Sequence, residues 1–145
     1  MAGHFRRFAA LPEAERRLLL HAAIVVASMR AAVLVFPFRW VCDRLRAPRL
    51  VSDRLAAIPV GRLAWAVSVA ARCIPGASCL TQALTLQWLL LRAGKSGIVR
   101  VGVAKDGRRG IEAHAWVEHG DKVILGGDED PGRFTTILAL RGRAS

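Results

Sequence analysis

Cys79 lies in Gly76-Ala77-Ser78-Cys79-Leu80-Thr81-Gln82-Ala83-Leu84 at the expected start of a helix, and 35 residues later His114 opens the strand-like run His114-Ala115-Trp116-Val117-Glu118. A thiol at a helix N-terminus feels the positive end of the helix dipole and unpaired N–H groups, which favour thiolate over thiol. An imidazole brought beside it completes the nucleophile and base of a cysteine hydrolase or acyltransferase. A carboxylate can then hold the imidazole tautomer and stabilise imidazolium. The chain returning through His119-Gly120-Asp121 as an antiparallel strand brings Leu125 to Asp128 opposite or just beyond His114, so Asp128 is the leading orienter. Asp130 and Asp121 are weaker candidates, Asp121 because it sits at the far end of the hairpin.

Singly, each residue also fits a packing role, since a free cysteine in an apolar stretch behaves as a small hydrophobe. Cys42 and Cys73 lack a helix-start setting and read as packing residues. His4, His21 and His119 read as turn or surface groups, and Gln82, one turn along from Cys79, as a packing or capping group. The joint pattern around Cys79 and His114 is what points to chemistry.

Several elements must position that pair. Leu11-Pro12-Glu13-Ala14-Glu15 marks a helix start, with proline in the first turn and acids near the positive dipole end. From Leu18 to Val35 the chain is apolar apart from His21, Ser28 and Arg30, close to the roughly 18-residue minimum for a membrane span. A central arginine costs about 2.5 to 3.5 kcal/mol on insertion scales, which favours a core or docking helix over a span. Pro37 closes it. Pro37 to Leu50 reads as a basic amphipathic segment carrying Arg39, Arg44, Arg46 and Arg49 and ending at Pro48 or soon after.

A further helix is expected over 61–73, with Leu63, Val67 and Ala70 on one face, broken by Ile74-Pro75-Gly76. Ser78 caps the next, 79–92, which is apolar on most sides and belongs in the core, and Gly94 ends it in a left-handed cap. The period then changes: strands are expected over 98–103, 111–118 and 122–125, with a last strand or helix over 134–140 and a basic frayed end. The fold class is α+β, a helical N-terminal half packed on a small antiparallel sheet.

At 145 residues one compact domain is expected, divisible into an N-terminal helical region (1–58) suited to docking a partner and a core (59–145) that carries Cys79 and His114. Three cysteines at irregular spacing form neither a disulfide framework nor a zinc site, so a reducing compartment and a cytoplasmic location are expected. The first 17 residues hold no signal-peptide pattern. The net charge of +11 permits attraction to nucleic acid, anionic lipid or an acidic peptide. Basic residues are not interleaved with aromatics and no finger or RNA-recognition pattern appears, so nucleic acid is not expected as a partner. Membrane contact is allowed but not favoured, and no cofactor or metal is expected.

A resemblance adds to these readings. Gly76 to Ala83, then Leu90-Leu91-Arg92-Ala93-Gly94, Val99-Arg100-Val101-Gly102, His114 to Glu118 and finally Asp128 resemble the transglutaminase-like (papain-like) cysteine-protease core. Within that superfamily the chain looks most like the lasso-peptide leader peptidases, in their separate short form. The resemblance covers about residues 60–128 with specific motifs; Gly94-Lys95-Ser96-Gly97 departs from the more usual Gly-Ile-Pro.

The resemblance implies a Cys79, His114 and Asp128 triad that removes the leader from a ribosomally made precursor peptide through an acyl-enzyme. It also implies a small leader-recognition protein and a macrolactam synthetase as partners. Two alternatives stand beside it: a transglutaminase-like acyl transferase using the same triad, and a non-catalytic scaffold that binds a partner or membrane.

Overall fold

The computed structural model describes residues 2–47, 49–108 and 110–142. Helices α1 (Ala2–Ala9), α2 (Glu13–Val35), α3 (Phe38–Arg46), α4 (Asp53–Ala56), α5 (Val60–Ala71) and α6 (Cys79–Arg92) precede strands β1 (Gly97–Asp106), β2 (Gly110–His119), β3 (Lys122–Leu125) and β4 (Thr135–Gly142). A 3₁₀ turn, Pro131–Arg133, leads into β4. The expected α+β arrangement is present.

α6 is the central beam. Ser78 at its N-cap accepts a hydrogen bond from the Thr81 N–H, and Gly94, at φ +69°, follows its last turn. Leu84, Leu86, Leu89 and Leu90 are fully buried, which on area grounds stabilises the fold by about 1.5–3 kcal/mol per side chain. They reach both sides of the helix because α2 and α5 pack along one side and β1 and β2 along the other. Gln87 is also buried; its amide donates to the Gly97 carbonyl at 2.9 Å and so ties α6 to the first residue of β1.

α2 starts after Pro12 and ends at Phe36, as its sequence signals require. Its two faces differ. Leu18, Leu19, Ala22, Val26 and Met29 enter the core, whereas Leu20, Ile24, Leu34 and Val35 are exposed. A central arginine is compatible with this helix because Arg30 lies on neither face: its guanidinium packs against Gly76 in the loop before Cys79. A methyl group at Gly76 would stand 2.6 Å from Arg30 Nη2. An Arg62–Glu15 ion pair joins α5 to α2.

The sheet order is β3-β2-β1-β4, antiparallel throughout. Val99, Ala115, Val117, Leu125 and Leu140 turn one face onto the core. The segment 134–140, open between strand and helix in the sequence, is a strand because it pairs with β1, Val99 facing Leu140. β1 runs to Asp106, three residues past its expected end at 103, and β2 starts at Gly110, one residue before its expected start at 111. In place of Gly-Ile-Pro, the Lys95 ammonium donates to the carbonyls of Ala56, the last residue of α4, and of Ile58 just after it. The expected end of the basic segment at Pro48 and the basic tail beyond residue 142 lie outside the described residues.

Candidate active site

Cys79 is the first residue of α6 and is half-buried. The Thr81 N–H is taken by Ser78 Oγ and the Gln82 N–H by the Ser78 carbonyl, so the N–H groups of Cys79 and Leu80 have no acceptor within the helix. They aim where negative charge would develop on or beside the sulfur. The turn feeding this helix depends on Gly76, whose φ of +75° disfavours any side chain and over which the Arg30 guanidinium packs. The other cysteines have different settings. Cys42 is buried, and burial pushes its thiol up despite the opposing charge of Arg46, so it is a packing residue. Cys73, expected to pack, is instead exposed because α5 has already ended at Ala71.

His114 stands on β2 where β3 has run out. The β2–β3 register slips between Val117 and Glu118, Val117 faces Leu125, and the chain leaves the sheet at Gly126. There the Gly126 carbonyl lies 2.8 Å from His114 Nε2. A carbonyl only accepts, so Nε2 carries the proton and, in neutral imidazole, Nδ1 is the base. Tautomer control is expected from a carboxylate; in the structure a backbone carbonyl makes that contact. Gly126 has φ +80°, and a methyl there would lie 2.8 Å from the Ala115 carbonyl.

The imidazole is held from the side as well. Its ring lies 5.3 Å from that of Phe134 and 6.1 Å from that of Trp116, centre to centre. Trp116 is fixed in turn: its indole N–H donates to Glu118 at 3.0 Å, and Arg100 Nε donates to the other carboxylate oxygen at 2.8 Å. Burial alone would push the Glu118 carboxyl up, but the bonds from Arg100 and Trp116 and the Arg100 charge hold it below the usual glutamate range. A carboxylate so depressed contributes stability that is present above its ordinary titration and lost as pH falls through the lowered value. Glu118→Gln is therefore expected to cost about 1–3 kcal/mol at neutral pH and much less in acid, read from denaturant midpoints at several pH values. Equal losses at all pH values would exclude the ionised pair as the cause.

Cys79, His114 and Asp128 all line one cavity of about 270 Å³. The structure thus gathers the three residues singled out in the sequence. Among the described residues, no hydrogen bond joins Cys79 to His114 or His114 to Asp128. Catalytic contacts in unliganded sites are commonly long and tighten around substrate. Asp130 does not line the cavity; its side chain accepts from the Gly132 N–H at 3.0 Å and caps the 3₁₀ turn. Asp121 stays at the distant hairpin turn. Ser68, Arg72 and Gln82 also line the wall, together with Ala115, Leu125 and Gly126. Sequence reasoning passed over Ser68 and Arg72 because they belong to the end of α5, which reaches Cys79 through helix packing. Gln82, read as a packing group, faces the cavity. Among the described residues, no cluster of three or more His, Cys, Asp or Glu side chains could hold a metal ion.

Residues 14–139 match the transglutaminase-like superfamily, described as Transglut_core3. The chain belongs to that superfamily. Transglutaminase-like domains are generally cysteine proteases or acyltransferases, the two chemistries that a thiol, an imidazole and helix N–H groups around one cavity can perform. The transglutaminase-like match starts inside α2 and ends inside β4, so it takes in the apolar N-terminal helix as well as the segment from Cys79 to Asp128. No curated protein and no solved structure matches the chain significantly.

Proposed function

We propose that this transglutaminase-like protein is a cysteine peptidase that removes the leader from a lasso-peptide precursor. The observation that carries the peptidase reading is the cavity shared by Cys79 and His114, with the imidazole held through Nε2 so that Nδ1 is the free base. The leader-peptidase reading rests on the motif resemblance around Cys79 and His114.

In this mechanism His114 Nδ1 takes the Cys79 proton, and the thiolate attacks the carbonyl between leader and core. The Cys79 and Leu80 N–H groups stabilise the oxyanion. The C–N bond breaks as imidazolium returns its proton to the leaving amine, giving an acyl-enzyme that water, deprotonated by His114, hydrolyses. Asp128, on the cavity wall, offsets the imidazolium charge. In this reading a small leader-recognition protein delivers the precursor and a macrolactam synthetase closes the ring afterwards, all in the cytoplasm. A groove of about 570 Å³ between α2, α3 and α6, lined by Trp40, Trp88, Arg44 and Arg49 among others, is the surface assigned to the leader. Its cationic edge suits an acidic, partly apolar segment.

Mass spectrometry of a precursor incubated with the purified chain and the recognition protein tests the proposal. Two fragments whose masses sum to precursor plus one water are expected. A precursor joined to an added amine, with ammonia lost, would instead show acyl transfer, and an unchanged precursor would leave the scaffold reading.

A further inference from the structure

The core accounts for only one face of α2. A third of its most apolar 18-residue stretch is buried, although its composition would suit a membrane span. Leu20, Ile24, Leu34 and Val35 are between 53% and 74% exposed. At 100° per residue these four, with Ala27 and Ala31, fall on one stripe along four turns, opposite the core face of Leu18, Ala22, Val26 and Met29. The stripe continues past the helix end, where Phe36 and Phe38 are also exposed and Phe36 stacks on Trp40 at 4.1 Å.

Charge decides what could cover it. Between residues 16 and 52 there are seven arginines and one acid, Asp43. Arg39, Arg44 and Arg46 stand beside the aromatic tip, all exposed, and Arg44 lies over the Trp40 ring at 5.0 Å. An apolar helix face with aromatic residues and arginines at its end is what an in-plane helix offers to a bilayer: acyl chains meet the stripe, indole sits at headgroup level, and guanidinium meets phosphate. A span is excluded by the opposite face, since inserting α2 would strip five buried side chains from the core. The leader groove opens on the adjoining flank of α2 and shares Ile24, Trp40 and Arg44 with this surface, but Leu20, Leu34, Val35, Phe36 and Phe38 lie outside it.

We propose that the exposed face of α2 and the Phe36–Trp40 tip dock the protein peripherally on an anionic lipid bilayer. The proposal does not rest on the peptidase reading, and each can fail without the other.

Co-sedimentation with vesicles of equal parts phosphatidylglycerol and phosphatidylcholine tests it. The chain is expected to pellet with these vesicles about tenfold more strongly than with phosphatidylcholine alone, an excess that high salt removes. Leu20→Glu with Leu34→Glu, both on the exposed face, should lower binding about a hundredfold while circular dichroism stays unchanged. Arg39→Glu with Arg46→Glu, which leaves the apolar stripe intact, should abolish the preference for anionic vesicles. A chain that stays in the supernatant with both vesicles overturns the proposal, as does a Leu20→Glu, Leu34→Glu variant that pellets like the intact chain. A dimer that this pair converts to monomer, without vesicle binding, would give the stripe to a second copy of the chain and equally overturn it.

Discussion

Cys79→Ala is expected to lower precursor cleavage by about three orders of magnitude or more, the scale on which losing the nucleophile of a coupled catalytic unit acts. The fold should survive it. Cys79 is half-buried at the first position of α6, alanine is a good helix former, and Ser78 still caps the Thr81 N–H. Thermal midpoints of the two proteins should therefore agree within a few degrees while the rates differ a thousandfold. Cys73→Ser is the internal control: that thiol is exposed but lies outside the cavity, so the variant should cleave at the normal rate. Cys42→Ala would be a poorer control, because it removes a buried group and changes stability. If Cys79→Ala retains cleavage, neither hydrolysis nor acyl transfer passes through this thiol, and the scaffold reading gains.

What could be read from the residues follows a physical divide between local and non-local causes. α6 was legible to the residue, because a serine cap, an apolar run and a terminal glycine are all local signals. The break at Ile74 to Gly76 and the turn at His119 to Asp121 were legible for the same reason. α1 was not, since it has eight residues, none of them buried, and Phe5 and Phe8 give barely two turns of apolar spacing. α4 has four residues, too few for any period. Strand order, and the strand nature of 135–142, depend on pairing with a segment more than thirty residues away.

The candidate site divides in the same way. Cys79 and His114 were visible as side chains in local settings, and Asp128 was placed near them by counting along a hairpin. Counting could not foresee the register slip at Val117, which ends pairing early and swings Gly126 under the imidazole. Nor could a backbone carbonyl be found by searching for carboxylates, because every residue carries one. The local signal was the Gly126-Gly127 pair, which permits a left-handed exit from the strand. The bilayer stripe was hidden for another reason: composition shows that α2 is apolar, but only packing shows which half of it the core leaves open.

Gly126→Ala should be the most damaging change to the site that removes no functional side chain. Its φ of +80° is unfavourable for alanine, and the new methyl would stand 2.8 Å from the Ala115 carbonyl and 3.0 Å from Trp116 Cβ. Both are firmly packed on β2, so the 126 segment must move rather than its neighbours. Left-handed backbone at a non-glycine residue costs about 1–2 kcal/mol, and the steric displacement adds to it. The carbonyl then leaves His114 Nε2, and the proton that it fixed can shift to Nδ1, where it blocks the base. Loss of tautomer control at a catalytic histidine is worth up to about 10⁴-fold in rate where a carboxylate exerts it. Here a fall of about a hundredfold in kcat is expected, with KM little changed because the groove lies elsewhere. Asp128→Ala separates the two ways of holding the imidazole. If the Gly126 carbonyl sets the tautomer, Asp128→Ala should cost less than Gly126→Ala, and the ¹⁵N shifts of His114 should still report an Nε2-protonated ring. If Asp128→Ala costs more and those shifts reverse, the carboxylate holds the ring in the working enzyme and the Gly126 contact belongs to the resting state alone.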